Sequence, residues 1–173
     1  MAWIPIIATF ILGAILGSFI NVLIYRMPRE ESLWHPRSHC PHCKAMIPWF
    51  RNIPIISFVI QQGKCASCTQ SISWQYPLVE IINGCVWAVC FYIFIPLQAG
   101  LTAMFSSVLI TLAWIDYKTM MIPLSLIITG ICIIVISVFA GLLVWQMVFW
   151  GAFAGVLIPL AMMGLTYLFT RRQ

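Results

Sequence analysis

Cys40-Pro-His-Cys-Lys-Ala-Met-Ile-Pro-Trp49 is answered 25 residues later by Cys65-Ala-Ser-Cys-Thr-Gln-Ser-Ile-Ser-Trp74. Both halves read C-x-x-C-x-x-x-I-x-W, so Cys40/Cys65, Cys43/Cys68, Ile47/Ile72 and Trp49/Trp74 align as a short internal repeat. Two such pairs brought together offer four thiolates, the ligand set of a closed tetrahedral zinc site. The gap between the pairs is longer than in an ordinary zinc ribbon, so a loop has to leave and return. On either side of this polar segment the chain turns apolar.

Only 8% of the residues are charged against 62% hydrophobic, with a mean hydropathy of +1.02. A soluble domain carries roughly a quarter charged residues, so most of this chain has a bilayer as its solvent. The net charge of +5 does not point to nucleic acid, because the basic residues form no dense patch with interleaved aromatics.

Five apolar segments approach the length that crosses about 30 Å of hydrocarbon at about 1.5 Å per residue. They run from Trp3 to Tyr25, Pro77 to Pro96, Ala99 to Ile115 (stopping at Asp116), Met120 to Trp145, and Met147 to Thr170. None alternates at period 2, so strands are excluded. The expected fold is an all-α polytopic membrane protein of about five transmembrane helices, with a small zinc-binding loop domain between the first two. Its expected parts are a first transmembrane helix (1–25), a cytoplasmic four-cysteine zinc-knuckle domain (26–76) and helices two to five (77–173). No Lys or Arg precedes the first apolar run, and Arg26 and Arg29 follow it. A signal peptide has the opposite arrangement, so this helix is expected to be retained.

The basic residues set the expected orientation. Arg26, Arg29, Arg37, Lys44, Arg51 and Lys64 precede the second helix, Lys118 follows the third, and Arg171 and Arg172 follow the fifth. The other joins carry none, which puts all nine on the cytoplasmic side and the N-terminus outside. A reducing cytoplasm favours zinc over disulfides at Cys40, Cys43, Cys65 and Cys68. A redox CxxC is the competing reading, but no βαβ pattern surrounds the doubled motif. Cys85, Cys90 and Cys132 sit singly in apolar helices as small hydrophobes. His35, His39 and His42 are reserve ligands beside the first knuckle. Gly13-x-x-x-Gly17 suits close helix packing, and Asn21 is expected to bond to a neighbouring helix.

Several motifs together resemble the bacterial type IV prepilin peptidases: Gly17-Ser-Phe-Ile-Asn-Val-Leu-Ile-Tyr-Arg-Met-Pro28, Cys40-Pro-His-Cys43 with Ile47-Pro-Trp49, and Asn52-Ile-Pro54. Gly63-Lys-Cys65-x-x-Cys68 and Ile72-Ser-Trp-Gln-Tyr-Pro-Leu-Val-Glu80 continue the likeness. Ile115-Asp-Tyr-Lys-Thr-Met-Met-Ile-Pro123 resembles that family's first catalytic-aspartate segment. The resemblance covers residues 11–125. It implies an enzyme of the bacterial inner membrane, found in type IV pilus and type II secretion systems. Such an enzyme cleaves leader peptides of prepilins and pseudopilins at the cytoplasmic face and N-methylates the new terminus with S-adenosylmethionine.

Asp116 is the sole aspartate, and the resemblance makes it catalytic. From position alone, an interfacial acid balanced by Lys118 is an equal reading. The chain departs from the family's pattern at Ile122-Pro-Leu124, where relatives commonly have Ile-Pro-Asp, and it lacks the later Gly-x-Gly-Asp motif. Aspartic proteolysis needs one ionised and one protonated carboxylate. Glu30, Glu31 and Glu80 are the remaining acids, and none has the matching context. The expectation is either the N-terminal portion of an active enzyme or a proteolytically inactive relative that binds leaders or serves a structural role. Glu80 is open between the methyl-transfer reaction and a pair with a loop arginine.

Overall fold

A computed structural model gives the fold over residues 3–146, 148–153, 155 and 157. Its helices are α1 (Trp3–Arg26), α2 (Ile56–Ile60), α3 (Gln75–Ile93), α4 (Pro96–Thr119) and α5 (Leu124–Phe139), with 3₁₀ turns at Met27–Arg29 and Trp49–Arg51. Among the described residues there is no strand, only the isolated bridges His39–Met46 and Lys64–Ser71. The protein is all-α, and α1, α3 and α4 are long and apolar enough to cross a membrane. The fifth apolar segment, Met147–Thr170, lies outside the described residues but for a few positions near its start.

Helix ends depart from the sequence expectations for local reasons. α4 begins at Pro96 rather than Ala99, because proline at the first position presets φ and lacks an N–H that would go unpaired anyway. Only Phe94 and Ile95 then join α3 to α4. α4 also runs past Asp116 to Thr119 and closes on Met120, whose φ is 52° and whose N–H donates to the Asp116 carbonyl. Asp116 is thus in the last turn of the helix rather than beyond it.

α5 starts after Pro123 and stops at Phe139, short of the expected Trp145. Gly141, at φ +70°, ends it: its N–H donates to the Val138 carbonyl and that of Leu142 to Ser137. This is the paired closure that a left-handed glycine makes possible. By its contacts the chain divides into two units, which meet between Ile133 and Ile134. The second unit contains this closure and a ring cluster in which Phe149 and Phe153 stack at 6.3 Å.

In the first unit α1 is apolar on both its exposed and its buried faces. Ile4, Ile7, Ile11, Ile15 and Phe19 are exposed, whereas Gly13, Ala14, Gly17, Ile20, Asn21 and Ile24 are buried. An apolar stripe of this size is untenable in water and ordinary in lipid. The buried stripe meets α3 closely, as the two glycines led us to expect. A Cβ at Gly13 would stand 2.6 Å from Trp87 Cβ, and one at Gly17 would stand 2.7 Å from Glu80 Cα. Asn83, fully buried, donates to the Gly13 carbonyl at 2.7 Å, and Ser107 of α4 lies 2.8 Å from its Oδ1. Asn21 donates to the Tyr76 carbonyl of α3, also as expected. Toward the loop end, Ile20, Ile24, Val79, Ile115 and Leu126 form one apolar cluster that joins four helices.

Candidate functional site

The internal repeat is reproduced bond for bond in the backbone. The Cys40 N–H donates to the Ala45 carbonyl and that of Cys65 to Gln70; the Lys44 N–H returns to Cys40 and that of Thr69 to Cys65. Lys44 and Thr69 both stand at φ 58°, and the N–H groups of Ile47 and Ile72 close the knuckles on Ser38 and Gly63. Each turn points its two sulfurs the same way, and the two turns face each other. Cys40 and Cys68 Sγ are 3.9 Å apart and Cys43 and Cys65 Sγ 4.0 Å, with all four sulfurs within 4.8 Å of one another.

A tetrahedron with metal–sulfur bonds of about 2.3 Å has edges of roughly 3.8 Å, so these thiols fit a metal ion after a small contraction. The three histidines are not in this group. Crowded thiols without a cation cannot all ionise together. The N–H groups of Ser67 and Cys68 hold Cys65 down to about 6. Cys68 accepts from the Gln70 N–H, but desolvation and the neighbouring sulfurs push it up to about 12. A bound cation relieves that conflict.

The return path between the knuckles carries α2 and an unusual turn. Ile55 stands at φ 62° and ψ −52°, and the Ile56 N–H closes a γ-turn on the Pro54 carbonyl. A β-branched residue at positive φ is strained and needs support from its surroundings. Glu80 supplies it. Its Oε2 accepts the Ile55 N–H at 2.7 Å, and the carboxylate also accepts from the Ser18 hydroxyl. Of the two roles open to Glu80, a pair with a loop arginine is not what these partners show. Glu80 is only 7% exposed, so it is unavailable for surface pairing with a basic partner. Arg26, 6% exposed, donates to the Ser32 and Pro36 carbonyls and pins the start of the loop to the end of α1.

Between the cysteine loop and the helix ends lies a cavity of about 600 Å³, and Glu80, Tyr25, Arg51, Phe58, Tyr76 and Lys118 are among its lining residues. Asp116 is exposed on α4 and does not line it; Lys118 and Thr119 of the same turn do. Along the chain Glu80 is open between two roles, Ser18 reads as part of the small-residue packing face of α1, and nothing marks Ile55. A lone carboxylate inside an apolar run, a few residues into a helix, was the available signal.

Residues 11–94 match the Bacterial Peptidase A24 N-terminal domain. The chain is 41% identical over 115 residues to the prepilin leader peptidase/N-methyltransferase of Bacillus subtilis, covering 66% of this chain and 46% of that protein. It is 36% identical over 127 residues to the protein of that name from Myxococcus xanthus, covering 70% and 36% respectively. With the one from Stutzerimonas stutzeri the identity is 32% over 180 residues, covering 88% and 61%. The chain thus spans about half the length of the curated relatives it matches. No solved structure matches it. The match over residues 11–94 and these identities place the chain in the bacterial type IV prepilin peptidase family, in its N-terminal portion.

Proposed function

We propose that this chain takes part in processing type IV prepilins or pseudopilins at the cytoplasmic face of the bacterial inner membrane. The observation that carries this reading is the match of residues 11–94, together with the name shared by its relatives. The reading assigns residues 1–25 to a transmembrane helix with its N-terminus outside, 26–76 to a cytoplasmic zinc domain, and 77–173 to the membrane helices that begin the peptidase portion. One-sided placement of the basic residues supports that orientation.

Zinc is the metal assigned to Cys40, Cys43, Cys65 and Cys68. A closed four-sulfur set leaves no open position for water, so its work is to hold the loop's shape. Asp116 is one carboxylate of the peptidase pair, at the cytoplasmic end of α4, where a membrane-embedded substrate with a charged leader presents its scissile bond. The second carboxylate is not among Glu30, Glu31 and Glu80 in this reading, and it has to come from outside the 173-residue sequence. S-adenosylmethionine is the methyl donor. Sole possession of Asp116, with Ile122-Pro-Leu124 after it, favours a second reading: a non-proteolytic relative that keeps leader binding through the zinc loop.

Photocrosslinking tests both. A prepilin carrying a crosslinker around its cleavage site is expected to label the loop and the residues near Asp116, whereas labels confined to the outer helix ends defeat the proposal. The 173-residue protein alone is expected not to cleave, and robust cleavage by it shows the catalytic pair misassigned. In a protein that also supplies the second aspartate, Asp116→Asn is expected to abolish cleavage and leave zinc bound.

A further inference from the structure

Between Trp49 and Ile60 the loop turns its apolar residues outward. Trp49, Phe50, Ile53, Ile56, Val59 and Ile60 are all exposed, Trp49 at 80% and Ile60 at 75%. The polar side chains of the same stretch bond to its own backbone instead. Ser57, buried, donates to the Phe50 carbonyl at 3.3 Å, and Gln61 donates to the Arg51 and Ser57 carbonyls. These bonds brace the turn at Trp49–Arg51 against α2, so the six apolar side chains stand on one braced segment. Single exposed apolar residues need no explanation, but six within twelve residues mark an interaction surface.

The tethers of this segment say what covers it. The Ile55 N–H donates to Glu80, which also accepts from the Ser18 hydroxyl. Ser18 comes eight residues before Arg26, the first charged residue of the chain, and Glu80 comes five residues after Gln75, where α3 begins. At about 1.5 Å per residue these positions lie about 12 Å and about 8 Å inside the helix ends that carry the loop. The loop thus folds back beside helix positions assigned to the bilayer. A groove repeats the observation, because the exposed Ile15 and Phe19 of α1 line it together with Pro48, Trp49 and Pro54. Charge fits the same surroundings. Residues 26–76 carry six Lys or Arg against two Glu; Arg37 lines that groove, and the Arg51 guanidinium lies over the Phe50 ring at 5.8 Å. Apolar side chains bordered by cations complement an anionic lipid surface, where rings and arginines sit at headgroup level.

We propose that residues 49–60 are a re-entrant wedge seated in the cytoplasmic leaflet, with their apolar side chains at the acyl–headgroup boundary and Arg37 and Arg51 among anionic headgroups. The inference goes beyond the function proposed above and rests only on its membrane orientation. Interfacial elements bury their apolar face about 5–10 Å deep, which matches the reach of the tethers. The irregular backbone keeps the segment out of the hydrocarbon centre, where unpaired carbonyls are not tolerated. Glu80 holds the strained turn at Ile55 from which α2 starts, so it sets the depth of the wedge. A loop seated in this way cannot swing away from the helix ends.

The experiment places a photoreactive diazirine amino acid at Ile60, Ile11 or Gln70 of the full, zinc-loaded chain in nanodiscs of phosphatidylethanolamine and phosphatidylglycerol. Ile11 is an exposed apolar residue of α1, and Gln70 an exposed polar residue of the second knuckle. Mass spectrometry then identifies what each position has captured. Lipid adducts are expected at Ile60 and Ile11 and not at Gln70, with phosphatidylglycerol at Ile60 above its share of the mixture. An Ile60 position that captures only protein, such as a second copy of the chain, overturns the wedge. So does one that stays unlabelled while Ile11 captures lipid, and in both cases the prepilin reading stands. Equal lipid capture at Gln70 removes the selective seating of this segment. Phosphatidylglycerol at no more than its bulk share removes the arginines from the site. No lipid at Ile11 removes the membrane placement of α1, and the wedge with it.

Discussion

The cysteine knuckles and the α1–α3 crossing are solutions to opposite problems. Around Cys40, Cys43, Cys65 and Cys68 the chain is mostly turns, Trp49 and Trp74 are exposed, and little apolar surface is buried. At the crossing, Gly13 and Gly17 leave no room for a Cβ against α3, and Asn83 hydrogen-bonds to the Gly13 carbonyl, between helices whose outer faces are apolar. In water a segment this small lacks the core to fold alone and needs a metal or similar staple. In lipid the neighbouring helices gain nothing from hiding apolar groups, so close approach and hydrogen bonds bind them instead. Each region should therefore fail under a perturbation that the other tolerates.

The largest expected effect is on the loop. Structural zinc supplies on the order of 10–16 kcal/mol of apparent binding energy in small peptides. Cys40→Ser or exhaustive chelation is expected to release the metal and expose residues 38–72 to protease, with the helix content of α1, α3 and α4 retained. Metal analysis, proteolysis and circular dichroism check the three parts.

Gly17→Val reverses the pattern. Its new Cβ meets the Glu80 backbone at 2.7 Å, which cannot swing aside as a side-chain tip does. Overpacking of this kind costs about 1–3 kcal/mol, so the helix pair is expected to unfold at lower denaturant while the thiols still take up zinc. Asn83→Ala is expected to cost less, about 0.6–1.7 kcal/mol, the scale of interhelical hydrogen bonds in membranes. Unfolding in mixed detergent micelles measures both.

The subtlest contrast lies within the repeat itself. The two knuckles share their backbone bonds, yet Cys65 is held down to about 6 and Cys68 pushed up to about 12. In metal-stripped protein, iodoacetamide is expected to modify Cys65 first at about pH 7 and Cys68 last. Alkylation of Cys65 is expected to fall as pH drops through about 6, because the reactive thiolate is protonated there. Peptide mapping against pH reads the order, and equal rates for the two thiols remove the asymmetry.

Composition and motif spacing alone set the class of the molecule and the place of its landmarks. Low charge and long apolar runs required a bilayer, since backbone groups in lipid are satisfied within helices. The period of 25 residues already matched Cys40 to Cys65 and Cys43 to Cys68, because local turns repeat when local sequence repeats. Gly13-x-x-x-Gly17 announced a helix contact without naming the partner. Packing in three dimensions was needed to show that the partner is α3, that the four sulfurs converge within 4.8 Å, and that α4 carries Asp116 in its last turn. It also settled what Glu80 is bonded to. Along the chain this was one acid near the start of an apolar helix. Packed beneath Ile55 and beside Ser18 it becomes a buried anchor facing a cavity, because burial and partners depend on which distant segments the fold brings against it.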